Sequence, residues 1–64
     1  MFDVQHEDDA WEIGVLFVND FVDGSGSELG VPANLQEFFN AGCSDASNLS
    51  EERVFQLASQ WGVA

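Results

Sequence analysis

The side chains of this sequence that could do chemistry are its carboxylates. Its 64 residues include 12 Asp and Glu but only one Lys or Arg, so the formal net charge is −11 at pH 7. Paired carboxylates can act as general acid and base, but they need burial to raise the pKa of one partner and a cleft to hold a substrate. Glu7, Asp8 and Asp9 are adjacent, yet they fall in a predicted exposed loop. We therefore expect a protein that is not an enzyme and has no catalytic residue.

Metal and nucleophile chemistry has equally little support. His6 and Cys43 are the only histidine and the only cysteine, and a lone thiol provides neither a disulfide framework nor a zinc site. The segment that begins at Asp23 resembles the start of a calcium loop. An EF-hand register with Asp23 at the third position puts Phe21 first and Pro32 twelfth, and neither offers a side-chain oxygen. We expect no metal, no cofactor and a half-buried, reduced thiol.

The acidic charge is the positive signal in the sequence. Lys and Arg supply most of the affinity of proteins for nucleic acids and anionic membranes, so a chain with one cation is expected to bind neither. Its acids suit a cationic protein surface, where they could compete with DNA phosphates. The acids that we expect to meet such a partner are Glu7, Asp8, Asp9, Glu12, Asp20, Asp23 and Glu28. The competing interpretation is that the acids serve only solubility or adaptation to high salt.

Alternating apolar residues predict a small antiparallel sheet over residues 2–23. Apolar side chains occupy positions 2 and 4 and again 11, 13, 15 and 17, a spacing typical of strands. Pairing Val4 with Ile13 leaves a hairpin loop at 7–10 and puts Asp3 and Glu12 on the outer face. The dipeptide at 19–20, Asn-Asp, tolerates the left-handed backbone of a second turn. We expect a β-hairpin or a three-stranded meander.

The rest of the chain predicts two α-helices, at about 32–41 and 51–61. In the first, Pro32 suits the opening turn and Gly42 a left-handed C-terminal cap, with the apolar face formed by Leu35, Phe38 and Phe39. Residues 24–27, rich in Gly and Ser, predict a flexible connector before this helix.

The second helix has clear signals at both ends. Ser50 is a predicted N-cap and Gly62 ends the helix. The buried stripe consists of Val54, Leu57, Ala58 and Trp61, with Phe55 at its edge. The expected fold is therefore α+β, a single domain over residues 1–64, with no targeting or membrane-spanning segment.

An apolar patch offers an alternative function. Leu16, Val18 and Phe21 share the outer face of the predicted sheet with Asp3 and Glu12. If no helix covers this face, the patch would bind a partner and the protein would be an adaptor or regulatory module.

The whole-chain profile resembles the small, acidic, phage-encoded inhibitors of bacterial defence, the anti-CRISPR and antirestriction proteins. The resemblance is carried by the near-absence of Lys and Arg, the acidic segments 2–12 and 20–28, and the helical tail 49–61. It implies a DNA mimic that occupies a basic DNA-binding surface of a CRISPR-Cas effector, by analogy a type I complex, or of a restriction enzyme. We expect a monomer in the cytoplasm, which is the host bacterial cytoplasm if the protein is phage-encoded.

Overall fold

Three α-helices form the fold in the computed structural model, which describes residues 2–64. They are α1 (Glu7–Val18), α2 (Gln36–Asp45) and α3 (Glu51–Gln60), and short 3₁₀ turns at Ala33–Leu35 and Ala46–Asn48 flank α2. Residues 2–64 contain no strand. The predicted α+β class with a sheet over residues 2–23 is therefore wrong, and so is the outer sheet face assigned to Asp3 and Glu12.

The first helix occupies the place of the predicted hairpin, and its middle is packed into the core. Four consecutive residues, 13–16, are buried, which suits neither an amphipathic helix nor a strand with one buried face. The apolar alternation at 11–17 does not mark a strand with one buried face, because both odd and even positions of the run 13–16 are buried. The predicted hairpin loop is the first turn of α1, where Asp9 Oδ2 accepts hydrogen bonds from the amides of His6 and Gln5 at 3.3 and 3.4 Å.

Two glycines let α1 and α2 approach at backbone distance. A Cβ built on Gly14 would overlap the carbonyl oxygen of Phe39, and one built on Gly42 would overlap the carbonyl oxygen of Trp11. The Cys43 thiol donates a hydrogen bond to the Gly14 carbonyl at 3.5 Å across this crossing. Gly42 is thus a buried residue inside α2 and not the predicted C-terminal cap, because its missing side chain is needed for packing.

The first helix ends in a Schellman motif. Asp20 takes a left-handed backbone with φ 65°. The Phe21 amide donates to the Leu16 carbonyl at 3.0 Å and the Asp20 amide to the Phe17 carbonyl at 3.2 Å, the two hydrogen bonds of this motif. The left-handed backbone predicted within residues 19–20 is present at Asp20. It ends a helix, however, and does not form a turn between two strands.

The predicted flexible connector contains a single helical turn that is capped at both ends. Ser25 and Glu28 form a reciprocal box: the Ser25 amide donates to Glu28 Oε1 at 3.0 Å, and the Glu28 amide donates to Ser25 Oγ at 3.3 Å. Gly30, with φ 89°, closes the turn. Because Val22, Leu29 and Val31 are buried, this loop belongs to the core.

The third helix matches its prediction closely. Ser50 Oγ accepts from the Arg53 amide at 3.2 Å, which confirms the N-cap. Gly62, with φ 74°, follows the last helical turn. Val54, Leu57 and Ala58 are buried and Trp61 is half-buried.

The predicted second helix is shifted toward the C-terminus. Pro32 precedes the 3₁₀ turn, and the α-helix begins at Gln36 and extends to Asp45. Its expected apolar face is present, since Leu35 and Phe39 are buried and Phe38 is half-buried.

Candidate partner-binding surface

The seven acids predicted to meet a partner divide into two groups in the structure. Asp9, Glu12 and Glu28 accept hydrogen bonds from other parts of the chain. The carboxylates of the other four acids make no hydrogen bond within residues 2–64, and all four are exposed: Glu7, Asp8, Asp20 and Asp23. The structure therefore separates acids with an internal role from acids that are available to a partner.

Glu12 joins α1 to the end of α3. Its Oε1 atom accepts from Trp61 Nε1 at 2.8 Å and from Gln60 Nε2 at 3.1 Å. Asp45 has a similar role between α1 and α2, since its Oδ2 accepts from Trp11 Nε1 at 2.9 Å. Both indole donors of the protein are thus satisfied by carboxylates, and Glu12 is held by the fold.

Glu28 is committed to its own turn. The hydrogen bond from the Ser25 amide, reinforced by the Ser25 side chain, lowers the pKa of the Glu28 carboxyl from its ordinary value, and slight desolvation opposes this shift. The carboxylate is therefore kept ionised as part of the capped turn.

The available acids lie near the two ends of α1. Glu7 and Asp8 stand in its first turn, whereas Asp20 is the left-handed residue after its end and Asp23 follows in the loop. A helix of 12 residues is about 18 Å long. The sequence placed Glu7 and Asp8 in a hairpin loop beside the sheet, and the structure places them in the first turn of a helix instead.

A shallow depression opens beside the start of α1. It encloses about 360 Å³ and is lined by Gln5, His6, Glu7, Asp8 and Leu35. Its walls are mostly polar and it faces solvent broadly. Residues 2–64 contain no group of three or more His, Cys, Asp or Glu side chains placed to hold a metal, so the depression has no ligand set for a cation.

The predicted apolar patch is not formed. Leu16 is fully buried, so it cannot join Val18, which is 47% exposed, and the half-buried Phe21 on one surface. Leu16 lies inside because the middle of α1 is packed into the core. The adaptor hypothesis therefore loses the exposed sheet face on which it depended.

Phe55 is the most exposed aromatic residue of residues 2–64, and the sequence predicts no functional role for it. Its side chain is 57% exposed on α3, and its ring lies 5.6 Å from that of Phe21 at an interplanar angle of 77°. Its position at the edge of the apolar stripe of α3 was visible in the sequence. Its contact with Phe21 was not, because Phe21 was assigned to a strand.

The remaining expectations concern Cys43 and the membrane. Cys43 is half-buried, as expected, and desolvation raises the pKa of its thiol, which disfavours the reactive thiolate. In the part of the chain that the structure describes, no helix combines the length and the apolar character that crossing a bilayer requires.

Comparisons with protein-family models, with characterised proteins and with solved structures find no match to this chain.

Proposed function

We propose that this protein is a non-enzymatic inhibitor that binds the basic DNA-binding surface of a bacterial defence complex and blocks access of the target DNA. The complex would be a CRISPR-Cas effector, by analogy of type I, or a restriction enzyme. The observation that carries the proposal is the charge: 12 acids and one cation in 64 residues. Such a chain is repelled by phosphate and attracted to the surfaces that bind phosphate.

The available acids are those that would meet the partner. Glu7 and Asp8 at one end of α1, and Asp20 and Asp23 beyond its other end, carry no internal hydrogen bond within residues 2–64. The length of α1, about 18 Å, corresponds to roughly five phosphate spacings of about 3.4 Å along one DNA strand. A cationic groove built for a duplex is longer than this helix, so its length does not prevent one partner surface from contacting both groups.

The engaged acids have a different role in this proposal. Asp9, Glu12 and Glu28 already accept hydrogen bonds from the chain, so a partner would have to break these bonds to use them fully. They contribute to the long-range field, which speeds association with a cationic partner by roughly 10–1000-fold. Their removal is expected to act mainly through stability.

The direct test uses a purified, guide-loaded type I effector and its labelled target duplex. The proposal expects the protein to bind the effector and to displace the duplex, with affinity that falls steeply as salt rises. The proposal is wrong if the protein binds neither the effector nor a restriction enzyme. Binding with the same affinity at low and high salt contradicts charge mimicry.

A charge-matched pair of variants tests the site. Glu7→Gln combined with Asp8→Asn removes two negative charges from the available group. Asp3→Asn combined with Glu37→Gln removes two from positions outside it. The variant with the first pair of substitutions should displace the duplex from the effector clearly less well than the variant with the second pair. Equal weakening would mean that only total charge matters.

A further inference from the structure

The third helix exposes an aromatic ring that the core does not use. Its inward face is formed by Val54, Leu57 and Ala58, all buried. Phe55 lies off this face and is the most exposed of the large hydrophobic side chains in residues 2–64, at 57%. A single exposed apolar residue is ordinary on a protein surface, so the surroundings of Phe55 decide its meaning.

The ring of Phe55 is held in place by a second ring. Phe21 meets it edge-to-face, with centroids 5.6 Å apart. The backbone of Phe21 is held by the hydrogen bond from its amide to the Leu16 carbonyl at 3.0 Å in the cap of α1, and its side chain packs against the core. An exposed ring that is positioned in advance loses less freedom on binding than a mobile one.

Two carboxylate-bearing residues stand one helical turn before Phe55, and a third is next to Phe21 in the chain. Glu51 and Glu52 precede Phe55 by four and three residues and are exposed, and side chains at these spacings are neighbours on a helix surface. Asp20 directly precedes Phe21. Arg53 is two residues from Phe55, a spacing that points side chains to different faces of a helix. The pair is therefore an apolar centre with an acidic rim.

The charge of the chain selects the occupant of this surface. A second copy would bring another net charge of −11 against the same acidic rim, which opposes self-association. A lysine- or arginine-bearing segment would pair with the rim, and its aliphatic stems and apolar side chains would cover the rings.

We infer that Phe55, with Phe21, Glu51 and Glu52, is the docking site for a cationic amphipathic segment of a partner protein. The inference deepens the proposed function and depends on it only for the positive charge of the partner. It adds an energetic centre of binding on α3 to the charge contacts that the available acids make with the same partner. Aromatic anchors of this kind, surrounded by a polar rim, commonly carry most of the energy of an interface.

The experiment uses two synthetic peptides of equal charge. One is an amphipathic helix of leucine and lysine, and in the other every leucine is replaced by serine. Their affinities for the protein are measured by fluorescence anisotropy at the same salt, and the contact surface is mapped from amide shifts in NMR spectra. The leucine peptide should bind roughly tenfold tighter or more, with shifts centred on Phe21 and Phe55.

Variants on the exposed side of α3 test whether the preference for the leucine peptide depends on Phe55. Phe55→Gln should abolish the difference between the two peptides, Phe55→Leu should retain part of it, and Gln56→Ala should leave it unchanged. Circular dichroism checks that each variant is folded. Equal affinity for both peptides, no effect of Phe55→Gln, or a concentration-dependent dimer that Phe55→Gln dissociates would each overturn the inference.

A failure of the docking site can be distinguished from a failure of the proposed function. If the effector competition fails while the leucine peptide still depends on Phe55, the docking site stands and the target class is wrong. If competition succeeds but Phe55→Gln has no effect on either assay, the docking site is wrong and charge mimicry stands.

Discussion

At the scale of single residues, many of the acids have a local explanation that needs no partner. Six of them stand in the first turns of the three helices, where negative charge is stabilised by the helix dipole: Glu7, Asp8, Asp9, Glu37, Glu51 and Glu52. Glu12 and Asp45 accept the two indole hydrogen bonds. Glu7 and Asp8 belong to the first of these groups and are also exposed, so their substitution affects helix stability as well as binding, and variants have to be compared at matched charge.

The carboxylate of Glu28 gives a pH-dependent prediction. Its pKa in the folded state is lowered by the hydrogen bonds from Ser25. The stability it contributes is therefore present above its unfolded pKa, near 4.5, and is lost as the pH falls through the lower folded value. Glu28→Gln should lower the urea midpoint at pH 7, and the difference from the parent protein should shrink as the pH is lowered below 4.5.

Asp23→Asn is the matched control for this experiment. It removes one negative charge from the same loop, where the Asp23 carboxylate has no hydrogen bond within residues 2–64. A loss of stability in Asp23→Asn equal to that in Glu28→Gln would contradict the role assigned to the capped turn.

The left-handed backbone of Asp20 predicts a substitution that should increase the stability of the fold. Gly adopts φ 65° without the steric cost that a Cβ brings. Asp20→Gly should therefore raise the free energy of unfolding by up to about 1 kcal/mol in urea denaturation, since the gain at the helix cap exceeds the entropy lost by a glycine. Asp20→Ala removes the same charge but keeps the Cβ. A gain of equal size in Asp20→Ala would assign the effect to charge and not to backbone strain.

At the scale of elements, the crossing of α1 and α2 depends on two missing side chains. Alanine inside a helix is favoured over glycine by roughly 0.5–1 kcal/mol. Forced overpacking costs about 1–3 kcal/mol. At Gly14 the neighbour is the backbone carbonyl of Phe39, which cannot rotate away as a side chain can. The steric cost should therefore exceed the gain in helix propensity.

Gly14→Ala is accordingly expected to destabilise the protein by about 1–2 kcal/mol net. Urea denaturation followed by helix circular dichroism measures the change. Ser44→Ala, at an exposed position of α2, shows the propensity effect alone and should be neutral or slightly stabilising. A Gly14→Ala protein as stable as Ser44→Ala would mean that the helices are not in close backbone contact.

The elements differ in how well their sequence predicts them. The start of α3 was predictable because Ser50 and the spacing of Val54, Leu57 and Ala58 are local signals that agree with each other. The strands predicted over residues 2–23 were wrong because residues 13–16 of α1 are all buried, and a short continuous apolar run does not show the helical period. Gly42 was misassigned for a related reason: its need for space comes from Trp11, a residue far away in the sequence.

The candidate site was predictable only in part. The abundance of acids and the list of candidates follow from the sequence, but the division into engaged and available acids does not. It depends on contacts such as Gln60 and Trp61 with Glu12, which are 48 and 49 residues apart in the chain. The pairing of Phe21 with Phe55 is likewise a tertiary contact, and no local pattern indicates it.

At the scale of the whole molecule, charge repulsion acts across the entire fold. The molecule measures 29 × 21 × 19 Å. The Debye length is about 30 Å at 0.01 M salt and about 3 Å at 1 M. At low salt every carboxylate therefore interacts with every other, whereas at high salt only close neighbours interact. Unscreened, the repulsion among 11 excess charges about 20 Å apart in water is on the order of 10 kcal/mol, of which the unfolded chain retains a part.

Salt should therefore stabilise the folded state while it weakens binding to a cationic partner. Acids at helix starts lose part of their dipole stabilisation, about 0.3–1 kcal/mol each at low salt, but the summed repulsion is larger. Thermal unfolding at pH 7 should show a Tm that rises with sodium chloride, and each kcal/mol of relieved repulsion corresponds to about 4–8 °C in a domain of this size. Glu37→Gln combined with Glu51→Gln should flatten this rise. A falling Tm would mean that local dipole contacts dominate, and folding only in molar salt would favour adaptation to high salt over charge mimicry.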